Sequence, residues 1–249
     1  MGSRGGGGGV AVAPPTVPPT VSNPPLDDPF NGLLGPRMNR DSMQAIVDIH
    51  ASNAVNPNYG KGDMRYHTNC ALCATAVALQ AMGYDVEAMP RDNTWRGQDS
   101  VFHIDTSNPD NYILNGGGNI YSGTPKSLMQ ALYQKHLFGT PVPSNIPTMP
   151  RGANAAANAI IQKVQGWGHG AVGMLSVSWQ GMNSSHAINI FNNHGRVVIF
   201  DAQCNKMFTD IPRYLSRTVA NNTMLLRLDN ASVRHNINAS DLQKMVKVR

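Results

Sequence analysis

Two cysteines stand three positions apart in RYHTNCALCATAVALQAMGYDVEA, residues 65–88, and Cys204 is the only other thiol in the chain. A C-x2-C pair can hold zinc, cycle as a dithiol, or supply one nucleophile beside a packed neighbour. Zinc asks for about four ligands, and no second C-x2-C or H-x3-5-H pair follows. A thioredoxin-like redox pair rests on the same two residues and gains nothing from the rest of the chain. What remains is a thiolate nucleophile at Cys70, or core packing of both sulfurs, since free cysteine is often buried. Cys73 lies one helical turn further on, where it is expected to face the core with Val77.

A thiol needs a base, and a base needs something to orient it. In SSHAINIFNNHGRVVIFDAQ two strands flank NNHG. A hairpin centred between Asn193 and His194 sets Ile190 opposite Val197, Ile188 opposite Ile199 and His186 opposite Asp201. One centred on His194-Gly195 sets Gln203 opposite His186. Opposed side chains on one face lie about 5 Å apart at Cβ, so either register puts an acceptor beside the imidazole. Such a partner selects the ring tautomer and favours imidazolium. At a helix start, backbone N–H groups and the helix dipole favour thiolate at Cys70, and its own N–H is suited to an oxyanion hole. His169 in GWGHG, with no acidic partner in the following strand, and His67, close to Cys70 in sequence, are the rival bases. Cys204, just beyond Gln203, is within reach of the same region, where a disulfide to Cys70 is the alternative to a free thiol.

The elements that must position these groups follow from local signals. DSMQAIVDIHASNAV (41–55) opens on an Asp cap and carries apolar residues at helical spacing. NCALCATAVALQAM (69–82) has Asn69 as its expected N-cap and Gly83 as its stop. TPKSLMQALYQKHLFG (124–139) and ANAAANAIIQKVQGWG (153–168) read as further helices, and YDVEAM as a short strand. From residue 171, AVGMLSVSW, HAINIF, RVVIFDA and TMLLRLD are short β-branched runs separated by turn residues. Helices first and strands later predict an α+β domain with an antiparallel sheet. Residues 1–30, a Gly run followed by Pro-rich sequence, bury too little apolar surface to order and read as a leader to one domain over 31–249. Residues 91–123 read as a long irregular connection, and Gly116-Gly117-Gly118 lacks the Lys-Ser/Thr of a phosphate loop. Trp95, Trp167 and Trp179 are candidates for core, rim or groove.

Composition removes other classes. The net charge of +5 is spread along the chain, which predicts weak attraction to acidic partners and no specific nucleic-acid stripe. No apolar window approaches eighteen residues, so no membrane span is expected. Three cysteines make no secreted disulfide framework. The glycine run stands where a signal peptide needs its apolar core, and Gly6 fills the Ser/Thr site of a myristoylation motif. Localisation stays open between cytoplasm, virion and effector delivery, and the sequons at Asn183, Asn221, Asn230 and Asn238 carry no weight without a secretory route.

RYHTNCALCATAVALQAMGYDVEAMPR resembles the segment of papain-fold toxin (glutamine deamidase) domains that begins with an Asn-Cys pair. Those domains occur in bacterial polymorphic toxins and beside phage head-morphogenesis proteins. GWGHGAVGMLSVSWQGMNSSHAINIFNNHGRVVIFDAQCNK is similar to their Gly-Ala, strand-Trp, His and NG-V-DxQ succession. The resemblance spans roughly residues 56–210 and implies a papain-like cysteine hydrolase fold. It implies Cys70 as nucleophile, His186 as general base and acid, and Asp201 as the orienting residue. Asn69 and Gln203, the latter matching the glutamine of DxQ, are implied in support. No metal or cofactor is expected. The implied partner is a protein substrate presenting a glutamine side chain, with an immunity protein or phage head proteins beside it. The family's arginines before the glycine are replaced here by VALQAMG, and a frequent proline by Ala202; neither change touches a reacting group. The same machinery serves a protease or transglutaminase, and a virion-associated structural module without a natural substrate is the reading outside catalysis.

Overall fold

A computed structural model describes residues 30, 32–92, 101–103, 108–113, 148–233 and 239–249. Helix α1 (Ser42–Ser52) starts where Asp41 accepts from the Met43 and Gln44 N–H groups. Helix α2 (Cys70–Ala81) is buried along most of its length, and Gly83, at φ +101°, ends it in a conformation that suits glycine. The two short strands β1 (Val86–Ala88) and β2 (Phe102–His103) follow, then β3 (Tyr112–Ile113). Helix α3 (Ala153–Gly166) precedes strands β4 (Val172–Ser178), β5 (Ser185–Asn193), β6 (Arg196–Asp201) and β7 (Lys206–Phe208). Helix α4 (Ile211–Leu215), strands β8 (Met224–Arg227) and β9 (Ser232–Val233), helix α5 (Ala239–Met245) and strand β10 (Val246–Val248) complete the described elements.

The main sheet has the order β3-β8-β4-β5-β6-β7, every neighbouring pair antiparallel. Alternation along its strands assigns two faces. Val172, Met174, Phe191, Val198 and Phe200 pack with Ile46 and Ile49 of α1 and Val77 of α2. Leu175, Val177, Ile188, Ile190 and Ile199 pack with Ile160 and Val164 of α3 and Leu215 of α4. The fold is therefore the expected α+β class, with α1, α2 and the C-terminal α5 in the core on one face of an antiparallel sheet and α3 and α4 on the other. β1 pairs with β10 and β2 with β9, which ties the C-terminal residues to the loop after α2. Phe30 is buried against Tyr84 with ring centroids 5.2 Å apart, so the core reaches back to the last residue of the expected leader. The predicted helix at 124–139, the glycine triplet and Trp95 lie outside the described residues.

One register is corrected. The β5–β6 ladder pairs Asn189 with Phe200, Ile190 with Ile199 and Asn193 with Arg196. The turn is thus His194-Gly195, not Asn193-His194. Both turn residues have positive φ, +50° and +85°, as the tightest hairpin turn requires, and glycine takes the second position without strain. Ile190 therefore does not face Val197, nor Ile188 Ile199, and Asp201 is not directly opposed to His186.

Candidate active site

The β5–β6 ladder stops at Asn189–Phe200, while β5 continues to Ser185 against β4 alone. β6 ends at Asp201, where it turns into β7 through the Asp201–Lys206 pair. The two strands part at this end of the sheet, and the start of α2 meets β5 there. Asn189 Nδ2 donates to the carbonyl of Ala74, 3.1 Å away, which anchors the helix to the strand. In a two-residue hairpin, the residue before the turn and every second one preceding it direct their backbone groups at the partner strand. Ala187 belongs to that series, but β6 is gone at its level. Its N–H is left to favour negative charge on the Cys70 sulfur instead.

His186 lies on the same sheet face as Asp201, displaced along the ladder. His186 Nε2 donates to Asp201 Oδ2 at 2.8 Å, and the two side chains are only 11% and 13% exposed. The second carboxylate oxygen accepts from the Gln203 N–H at 3.2 Å, which fixes the carboxylate plane. With Nε2 so engaged, Nδ1 is left for Cys70, whose thiolate and the His186 imidazolium stabilise each other. Gln203, opposite His186 if the observed ladder were extended, sits in the β6–β7 turn. Its side chain donates to Asn69 at 3.4 Å.

Burial pushes the Cys70 thiol up, but the His186 hydrogen bond, the imidazolium charge and the N–H groups of Ala187 and Ala71 outweigh it, leaving the thiol below its ordinary value. Burial pulls His186 down, and the hydrogen bonds and charges of Asp201 and Cys70 reverse this, raising it to about 10. The shifts diverge in the sense that makes a thiolate–imidazolium pair at neutral pH. Cys73 is raised well above its ordinary value, by burial first and then by the Cys70 charge; its Sγ is 3.4 Å from Asn69 Oδ1. Cys204, half-buried beside Asp201, is pushed up to about 12 by burial and that carboxylate. All three cysteines are free. Iodoacetamide near pH 6 is therefore expected to label Cys70 and leave the others, since a thiol at about 12 is ionised there only about once in a million molecules. Peptide mapping after a short pulse reads this out, and equal labelling of the three thiols would contradict the pairing.

Asn69 occupies the N-cap position, but its side chain makes no cap bond, contrary to the expectation from residue type. A buried network recruits it. Asn69 Nδ2 donates to the Met89 carbonyl at 3.0 Å, and its amide exchanges longer contacts with that of Asn56. Asn56 Nδ2 donates to the carbonyls of Gln203, at 2.8 Å, and Tyr66, at 3.0 Å. This network joins the start of α2, the preceding loop and the β6–β7 turn, the three segments that carry the site. The Leu72 and Cys73 N–H groups donate to the Asn69 carbonyl, but the missing side-chain cap leaves the Cys70 and Ala71 N–H groups unoccupied by the Asn69 amide, as an oxyanion site beside Cys70 requires. Asn56, fully buried, was not singled out by its sequence context. Asn56→Ala removes a buried donor from two partly buried carbonyls and is expected to cost about 1–3 kcal/mol, read from the urea midpoint at unchanged slope.

Trp179 is a rim residue with a defined partner. Its ring lies over His186, centroids 6.0 Å apart at 29°, and packs on Tyr214 at 5.7 Å. Phe208 backs Tyr214 at 5.0 Å. These rings keep water from the His186–Asp201 bond on the α4 side. His169 is elsewhere: it stacks on His194 at 3.6 Å and accepts from the His194 N–H, at the turn end of the β5–β6 hairpin. His67 is turned to Tyr59, stacked at 4.4 Å, and accepts from the Gly60 N–H. Among the described residues no group of three or more His, Cys, Asp or Glu side chains could hold a metal ion. No helix among them is long and apolar enough to cross a membrane.

A sulfur at a helix start, an imidazole against it and a carboxylate behind the imidazole form a constellation able to attack and release an acyl group. A family model described as papain fold toxin 1, glutamine deamidase, matches residues 68–206, from the residue before Asn69 to Lys206. No curated protein and no solved structure matches the chain. The match takes in both motif blocks and more than half of the sequence: the chain belongs to the papain-fold toxin family of glutamine deamidases.

Proposed function

We propose that the protein deamidates a glutamine side chain of a protein substrate through Cys70, His186 and Asp201. The observation that carries this reading is the 2.8 Å bond of His186 to Asp201, with Cys70 at the start of α2 close enough to His186 for the two groups to shift each other's titration. Cys70 thiolate adds to the carboxamide carbon, forming the C–S bond and placing negative charge on oxygen. Backbone N–H groups at the start of α2 take up that charge. His186 imidazolium gives its proton to the amide nitrogen, the C–N bond breaks, and ammonia leaves. Neutral His186 then takes a proton from water, whose oxygen attacks the thioester. Collapse expels the Cys70 thiolate, leaving glutamate in place of glutamine. Asp201 stays ionised throughout and stabilises the imidazolium. Asn69 and Gln203 act as positioning residues, holding the helix start and the Asp201 turn together.

Membership of the toxin family supports a toxin or effector role for the domain, whose core begins by Phe30. The acyl-enzyme also permits proteolysis or transfer to another amine, and the products separate these outcomes. Incubation with glutamine-bearing proteins is expected to add about 1 Da at a glutamine, without chain cleavage or cross-linking. Cleaved chains or cross-linked products in place of that increment would assign the same site to a protease or transglutaminase. Absence of any product across a proteome-wide substrate panel would favour a structural module.

A further inference from the structure

Two exposed cations flank the His186–Asp201 pair without a carboxylate of their own. Lys206 stands directly opposite Asp201 in the β6–β7 ladder. The Arg217 guanidinium carbon lies 5.8 Å over the ring of Trp179, the ring that covers His186. Among the described residues neither cation forms an ion pair. Between residues 171 and 217 the only acidic residues are Asp201, engaged by His186, and Asp210, whose Oδ1 accepts from the Arg213 N–H at the start of α4.

Arg217 is held by more than its ring contact. Gln180 N donates to the Arg217 carbonyl, and Gln180 Nε2 to the carbonyls of Ser216 and Thr218. Val219 N–H donates to Ser178, and Trp179 bridges to Thr218. The backbone carrying the guanidinium is thus fixed to the end of β4, so little order is lost when it meets a partner. Apolar side chains complete the rim. Met182 is 62% exposed on the turn after Trp179. Met64, 67% exposed, and Tyr59, 39% exposed, lie on the loop leading to Cys70.

We propose that this rim selects a glutamine set in an acidic segment of the substrate, with Arg217 and Lys206 pairing carboxylates beside the reacting residue and Met64 and Met182 covering its neighbours. The proposal rests on the deamidase reading for the reaction, but not for the binding. The test uses the full-length Cys70→Ala variant and fluorescein-labelled glutamine peptides whose flanking residues are Asp/Glu, Gly or Lys. Anisotropy is expected to show the acidic peptide binding at least about tenfold tighter than the Gly peptide at about 50 mM salt, an advantage that shrinks by about 300 mM. Arg217→Glu and Lys206→Glu are each expected to remove about fivefold or more of that preference, with circular dichroism confirming the fold. Equal binding of the three peptides, an unchanged preference in both charge reversals, or tighter binding of a single-stranded oligonucleotide would overturn the proposal. Acidic preference in binding without deamidation of any peptide by the wild type leaves the rim standing and removes the catalytic reading. Deamidation of acidic and Gly peptides with equal kcat/KM does the reverse.

Discussion

Cys70→Ala is expected to lower kcat/KM for glutamine deamidation by on the order of 10⁴-fold or more, with far-UV circular dichroism unchanged. The expected size follows from the absence of a substitute. Cys73 is a turn deeper in the same helix, buried, and its pKa is raised rather than lowered. Cys204 sits behind Asp201 and is pushed up to about 12, so its thiolate is scarce at neutral pH. Water activated by His186 alone lacks the covalent step that divides the barrier. Loss of the sulfur also removes the anion that helps hold His186 protonated. Ammonia release, measured by a coupled assay on a protein substrate, reads the effect. Release at the wild-type rate would remove Cys70 from the mechanism.

Asp201→Ala has the second largest expected effect, a loss of about 10³-fold in kcat, with Asp201→Asn retaining part of the rate through its remaining acceptor oxygen. The carboxylate both orients the ring through Nε2 and raises the imidazolium. The productive pair exists above the lowered pKa of Cys70 and below that of His186, about 10, as a coupled titration. The wild-type rate is therefore expected to hold into mildly alkaline pH and fall as His186 loses its proton. Asp201→Ala moves that alkaline limb to lower pH, because removing the anion favours the neutral ring. Stability follows the same signs. His186 is raised in the folded state, so its contribution is complete below the ordinary histidine value and is lost as pH rises through about 10. Cys70 is lowered, so its contribution is present above the ordinary thiol value and is lost as pH falls through the folded one. A pH–rate profile and thermal unfolding across pH check both, and an alkaline limb unmoved in Asp201→Ala would sever Asp201 from His186.

The neighbourhood of His186 and Asp201 was legible because a tight hairpin constrains both strands at once. Either register left an acceptor near the imidazole, and glycine at position 195 chose between them by its positive φ. The helix start at Cys70 was equally legible from Asn69 and the apolar run behind it, although Asn69 works through a network and not as a cap. Short strands such as Lys206–Phe208 and Val246–Val248 were not, since three residues carry too little periodicity to read.

By itself the sequence determined the local pieces: the extents of α1, α2 and α3, the strands after residue 171, and the residues able to do chemistry. It also carried the two blocks that mark the family. These are written in backbone propensity, turn chemistry and alternation, all of which act over a few residues. Tertiary structure decided which histidine meets the sulfur, how β5 and β6 part to admit the start of α2, and how Asn56 ties loop, helix and turn together. It also set Trp179 and Arg217 beside His186. Cys70 and His186 are more than a hundred residues apart in sequence. Their proximity depends on both faces of one sheet being buried together, a sum of many small burial terms that no single stretch of chain encodes.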